Sequence, residues 1–354
     1  MARRDLAKTK RTLEAWFAAR FAVDEVSVSD LHPASAGMSN ETILGRAAWS
    51  TPDGATALDF VVRVEPRGHQ LFVQPDALFQ ARVMQALALT GSVPVPEVKF
   101  VEADPAVLGA PFFVMPQVHG RVPSDVPSWH VHGWTADLDS NERARMCDNG
   151  LVALAALHAI PVTTQFEFLA YQGDGSHLDR YLAHVVRWHE WATPSLVRDR
   201  ATIDAALEHV MTHKPDEPAA GIVWGDARLG NIVFDDDLSV AALLDWEGAT
   251  LGPPEIDVAW WVMFEEFLCE ARGLARPDGA PDRAEVLARY EQLSGRPLRH
   301  IEYYEILACL VLSLINSRLA ELLLAAGRTP DAVATEFLTR VTAMAAGRLA
   351  DGGY

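Results

Sequence analysis

The chain has 354 residues, 49% of them apolar, which is enough material for two ordinary domains or one large two-lobed unit with a buried core. Lys and Arg number 30 against 48 Asp and Glu, a formal charge of −18. That balance argues against nucleic acid or an anionic membrane as the main partner, since both require a basic face, and it is compatible with a cationic substrate.

In chain order, residues 6–21 carry apolar side chains at helical spacing and predict an amphipathic helix. The basic start, Met1–Arg11, runs into Glu14 without the apolar stretch of a signal peptide. No later run reads as approaching a membrane span, so the expected location is the cytoplasm. Strand text follows at Val26–Leu31, Thr42–Trp49 and Leu58–Val64, separated by the turn segments Ser35–Asn40 and Thr51–Gly54. A helix is expected over Asp76–Leu89, halted by Val93-Pro94-Val95-Pro96, and two further strands near Val98–Val101 and Pro111–Met115. Five strands with one inserted helix make residues 1–115 a sheet lobe, and 116–121 reads as a linker.

Residues 122–354 are mostly helical text. The loop Arg121–Trp134 comes first, and helices are expected at 140–159, 176–191, 196–213, 254–272, 283–294, 299–325 and 330–349. Strand text reappears only in the patch Gly221–Leu244. The fold class is therefore α+β, and its active site is expected in the crevice between lobes. Cys147, Cys269 and Cys309 are far apart and odd in number, which reads as free thiols in a reducing compartment. His130, His132, His184 and His189 lack the spacing of a metal site. Most of the tryptophans read as core, while Trp129 and Trp134 sit in the loop beside the expected cleft, where they are placed to touch substrate.

The chemistry concentrates in Trp224-Gly225-Asp226-Ala227-Arg228-Leu229-Gly230-Asn231, the apolar runs Ile232–Phe234 and Val240–Leu244, and Asp245-Trp246-Glu247. Two apolar runs joined by Asp235-Asp236-Asp237 form a hairpin signature. Asn231 precedes its first strand and Asp245 follows its second, so both fall at the open end, with Asp226 on the loop leading in. Magnesium takes few oxygen ligands from protein and the rest from water and phosphate, which one amide and one carboxylate satisfy. The other carboxylate is left to orient a hydroxyl and take its proton. Asp, Asn and Gly are also ordinary turn residues, but this spacing, followed by Gly252-Pro253-Pro254-Glu255-Ile256-Asp257 opening an apolar helix, favours the catalytic reading.

The stretch Trp224–Trp261 resembles the catalytic core of the aminoglycoside phosphotransferase and choline kinase-like family. Within it, the text is closer to the branch resembling kinase domains fused to acyl-CoA dehydrogenases, which act on hydroxyacyl-CoA. The resemblance implies a protein-kinase-like bilobal fold and an ATP- and Mg2+-dependent kinase whose partner is a small-molecule hydroxyl substrate. It also implies roles for individual residues. Asp226 would be the catalytic base or the hydroxyl-orienting carboxylate, and Asn231 and Asp245 would hold magnesium. Ser39 and Asn40, in the segment Ser35–Thr42, lie over the phosphates, and backbone groups of Gln117 and Val118 bind adenine. Asp257, in a helical first turn, is structural.

Three positions depart from the family pattern. Trp224 stands where many members have histidine, normally a loop support. Arg63, on the third strand, replaces the phosphate-binding lysine, and Gln80 falls near the glutamate that pairs with it, with Glu65 on the Arg63 face as a substitute partner. These last two motivate the alternative of a catalytically degenerate nucleotide-binding pseudokinase. Retention of Asp226, Asn231 and Asp245 together speaks against it.

Overall fold

The computed structural model describes residues 4–34, 41–52, 54–66, 71–196, 198–216, 220–325, 327 and 335–351. The chain divides into two compact units. The first takes the chain up to Leu89 together with Val95–Val118, and the second takes Thr90–Pro94 and everything from His119 onward. Thr90–Pro94, expected in the sheet lobe, joins the second unit, where the Leu243 amide donates to the Pro94 carbonyl at 2.9 Å.

The first unit opens with α1 (Leu6–Phe21), whose N-cap Asp5 accepts from the Lys8 amide. It buries Thr9, Leu13, Trp16 and Phe17, one face of a 3.6-residue repeat. The strands are β1 (Val26–Pro33), β2 (Glu41–Thr51), β3 (Gly54–Val64), β4 (Phe100–Glu102) and β5 (Phe112–Pro116). They form one antiparallel sheet in the order β1-β2-β3-β5-β4. Between β3 and β4 lies α2 (Ala77–Ala88), capped by Asp76. The sequence reading missed α3 (Pro105–Leu108), a single turn that Asp104 caps ahead of a first-turn proline. Leu13 and Phe17 pack with Val28, Ile43, Phe60, Val62, Val64, Phe112 and Val114 into the core of this unit. Because side chains alternate along a strand, Arg63 points away from that core while Val62 and Val64 point into it.

The second unit contains α4 (Ser140–His158), α5 (His177–Ala192), α6 (Arg200–Thr212), α7 (Glu255–Leu268), α8 (Arg283–Ser294), α9 (Ile301–Ala325) and α10 (Glu336–Asp351). Reciprocal capping boxes start α4 at Asp139/Glu142, α5 at Ser176/Asp179 and α8 at Asp282/Glu285. The helix expected from residue 196 begins only at Arg200, since Pro194 lies in a separate 3-10 turn and Asp199 is left-handed at φ 50°. Its small strands are β6 (Gly221–Val223), β7 (Ile232–Phe234), β8 (Val240–Leu243) and β9 (Thr250–Gly252). The last lies beyond the expected strand patch and pairs antiparallel with β6.

One sequence expectation needs correcting. By length and composition α9 is apolar enough to cross a membrane, contrary to the reading that no run approaches a span. Within the unit 67% of its most apolar window is buried, and Ile306–Leu312 contribute an unbroken buried run, so the helix is apolar all round because it is packed all round. Cys147, Cys269 and Cys309 are buried free thiols.

Candidate active site

β6 delivers the chain into Trp224-Gly225-Asp226, and a 3-10 turn, Leu229–Asn231, leads into the β7–β8 hairpin. Gly225 has φ +87°, and a Cβ there would lie 2.1 Å from the Gly248 carbonyl oxygen. Only glycine permits that conformation and that approach. The loop is held from behind by Asp257, in the first turn of α7 and fully buried. Its carboxylate accepts the Trp224 amide at 2.6 Å and the Gly225 amide at 2.8 Å, and meets His158 Nε2 at 3.0 Å. The other nitrogen of His158, Nδ1, meets the Tyr290 hydroxyl at 2.7 Å, so the ends of α4 and α7 and a side chain of α8 brace the same loop. Trp224 is fully buried, stacks on Trp246 at 5.4 Å and donates its indole N–H to the Leu244 carbonyl.

Asp226 is gripped by three donors. Its Oδ1 accepts from Arg228 Nε at 2.9 Å and from Trp260 Nε1 at 2.9 Å, and its Oδ2 accepts from Asn231 Nδ2 at 2.6 Å. An ionised carboxylate presents about four lone-pair directions, so about one remains for an incoming group. Arg228 is shared, since its Nη1 donates to Asp125 Oδ2 in an ion pair. Burial opposes the charge on Arg228, but Asp226 and Asp125 outweigh it and raise its pKa, so the guanidinium is always charged. Burial pushes the Asp125 carboxyl above the ordinary range against the pull of Arg228, and the nearby Asp226 charge adds to the rise. A Cβ on Gly230 would fall 2.3 Å from Asp125 Oδ1 and 2.5 Å from Arg228 Nη1, so glycine there makes room for the ion pair.

The hairpin register pairs Ile232 with Leu243, and the Leu244 amide donates to the Asn231 carbonyl at 2.8 Å, which brings Asn231 and Asp245 to the same open end. Asn231 is buried and spends its amide nitrogen on Asp226, on the side-chain oxygen and at 3.0 Å on the backbone oxygen. Its Oδ1 is therefore the atom turned to the other side. Asp245 leaves β8 in the left-handed region, φ 59°. One amide oxygen and one carboxylate at one strand end form a hard donor set that suits Mg2+, whose remaining ligands are water and phosphate.

In the first unit, Arg63 on β3 donates to Thr42 Oγ1 at 3.1 Å and to Gln80 Oε1 on α2 at 3.4 Å. Gln80 is thus a helix residue that meets Arg63. It is buried, and its Nε2 has no partner among the described residues. The expectation that backbone groups of Gln117 bind adenine is narrowed by its N–H, which donates to the Asp59 carbonyl at 2.9 Å and so continues the β3–β5 ladder. The Gln117 carbonyl and the Val118 N–H are the backbone groups left for that task. Ser39 and Asn40 lie outside the described residues.

Three site residues escaped sequence reasoning. Arg228 stands two positions after Asp226, inside the motif itself. Trp260 follows Asp257 by three, and helical spacing places it on the same face of α7. Asp125 had no local signal, since its partner Arg228 lies 103 residues further along the chain. In the same loop Trp129, read as a substrate contact, is buried and donates to Glu265 Oε1 at 3.3 Å, so it is core. Trp134 is half-buried beneath the Arg121 guanidinium, 4.4 Å from its ring centre.

Comparison with known proteins agrees with this geometry. A probable acyl-CoA dehydrogenase of Arabidopsis thaliana is 27% identical over 303 residues, covering 78% of this chain. The chain spans only 35% of that relative's length. A solved structure from Ralstonia eutropha, assigned as an aminoglycoside phosphotransferase, superposes with TM-score 0.67 at 25% identity and covers 95% of each chain. The protein-kinase-like fold is shared further with an aminoglycoside phosphotransferase solved as a ternary complex with ADP and hygromycin B, at TM-score 0.59 and 16% identity, covering 97% of this chain and 99% of that one. The model of the phosphotransferase enzyme family matches residues 30–300. The chain belongs to that family and is a small-molecule kinase.

Proposed function

We propose that the protein transfers the γ-phosphoryl group of ATP, with Mg2+, to a hydroxyl group of a small molecule. The observation that carries this reading is the Asp226 carboxylate, clamped by Arg228, Trp260 and Asn231 with about one acceptor direction left. A substrate hydroxyl donating into that direction is oriented for in-line attack on phosphorus. As the new P–O bond forms and the bond to ADP breaks, the hydroxyl proton passes to Asp226. Arg228, charged throughout, keeps the carboxylate from rotating out of line. Asn231 and Asp245 would hold Mg2+, which would supply positive charge against the negative charge of the transferred phosphoryl group.

For the nucleotide, Arg63 is proposed to grip phosphate, steered by Gln80, and Ser39 and Asn40, which lie outside the described residues, are proposed as further phosphate contacts. The Gln117 carbonyl and Val118 N–H are proposed to meet adenine. Two acceptor classes are proposed. Polycationic aminoglycosides suit the −18 charge and are what a structural neighbour binds. Hydroxyacyl-CoA thioesters suit the similarity to an acyl-CoA dehydrogenase relative. Buried free thiols fit a cytoplasmic site of action. The test is ADP formation and phosphorylated product from ATP-Mg2+ with both acceptor classes. Turnover with at least one hydroxyl compound is expected. Tight ATP-Mg2+ binding with transfer to none, nor to water, would instead support a pseudokinase.

A further inference from the structure

The second unit holds a groove of about 770 Å³ that shares no residue with the site described above. That volume lies within the range of roughly 300–1,000 Å³ typical of small-molecule sites. It is lined by Thr163, Thr164 and Glu167, by His177 and Arg180 of α5, and by Leu251 on β9. Two nitrogens of this lining, His177 Nδ1 and Arg180 Nε, are buried and have no hydrogen-bond partner among the described residues. Orphaned nitrogens also occur on Arg121, Arg143, Arg272, Arg296 and Arg340, but His177 and Arg180 line one groove together. The chain carries 48 acidic residues, and the arginines at 4, 20, 46, 228, 276, 283, 289, 296, 318, 340 and 348 reach carboxylates, whereas Arg180 has no carboxylate pair among the described residues.

The adjacent carboxylate does not serve Arg180. Asp179 is turned to Lys214 and to the Ser176 cap, whose hydrogen bonds hold its pKa down to about 2. His177 is held below its ordinary pKa, first by burial and then by the Arg180 charge, so the ring meets neutral solution uncharged. It is also the first residue of α5, where helix N–H groups and the helix dipole favour a negative charge.

We propose that this groove binds the phosphate group of a small molecule, with Arg180 and His177 as its primary donors and the hydroxyls of Thr163 and Thr164 as further ones. A tetrahedral oxyanion accepts from more directions than a carboxylate and matches a donor set of this size. Glu167 is the carboxylate that opposes it, and it limits the affinity.

The test titrates inorganic phosphate into the whole chain while the His177 ring resonances are followed, with chloride at matched ionic strength as control. A saturable shift is expected, with the His177 titration moving to higher pH because a bound anion favours the protonated ring. Arg180→Gln should weaken binding by about tenfold or more, the loss of a charge-assisted pair. Glu167→Gln should tighten it. Should Arg180→Gln fail to fold, His177→Asn measured by calorimetry should show weaker binding. An absent or non-saturating shift, an equal response to chloride, or unchanged affinity in the variants would overturn the proposal.

Discussion

Asp226, Arg228 and Asp125 form an odd-charge chain, two carboxylates sharing one guanidinium, and the single charge on Arg228 decides the geometry of the outer two. Asp226→Asn keeps the size and part of the hydrogen bonding but removes the proton acceptor. Turnover should fall by roughly two to four orders of magnitude, while ATP affinity stays near wild type because Asn231 and Asp245 remain. Steady-state kinetics beside nucleotide titration checks both, and an unchanged rate would remove Asp226 from the mechanism. Arg63 poses a different problem of shape. Its fork reaches Thr42 and Gln80 at once, which a single ammonium does less well. Arg63→Ala should weaken ATP binding and Arg63→Lys should retain part of it. Equal affinity in all three proteins would place the phosphate cation elsewhere.

At the level of elements, the catalytic loop is positioned from behind, by the start of α7 and the end of α4. Asp257 is wholly buried and satisfies two loop amides and His158. Asp257→Ala would strand those donors without water, so it should destabilise the protein by about 3–5 kcal/mol, measured by urea denaturation. Asp257→Asn keeps one acceptor oxygen and should do less harm. A loss below about 1 kcal/mol for Asp257→Ala would show that solvent reaches the loop. The β7–β8 hairpin and Asp257 were both legible in the sequence, because strand alternation and first-turn acids are local patterns. β9 was not, since its three residues acquire strand geometry only by pairing with β6 across an intervening hairpin.

For the molecule as a whole, ATP with Mg2+ held in the proposed site would bind only the native state and should raise the melting temperature by mass action. Asp245→Ala should remove most of that gain, and no shift at millimolar ATP-Mg2+ would count against the nucleotide site. Stability should also depend on acid. His184, stacked on Tyr171 at 4.0 Å, has its pKa lowered to about 4 from 6.5, first by burial and then by Arg187. Between those values the unfolded chain takes up a proton that the folded one refuses, so this contribution is intact above pH 6.5 and lost as pH falls toward 4. His184→Phe should flatten the melting temperature across that window, and an identical acid slope would exclude the histidine. By itself the sequence determined the family, the five-stranded sheet and the convergence of Asp226, Asn231 and Asp245 at one end of the hairpin, because these rest on short-range spacing and hairpin register. Tertiary structure alone decided what surrounds Asp226. Asp125 lies about a hundred residues from its partner Arg228, and no local pattern encodes a contact that long-range folding creates. It also decided the fate of α9, whose membrane-like composition is answered by burial within its own unit.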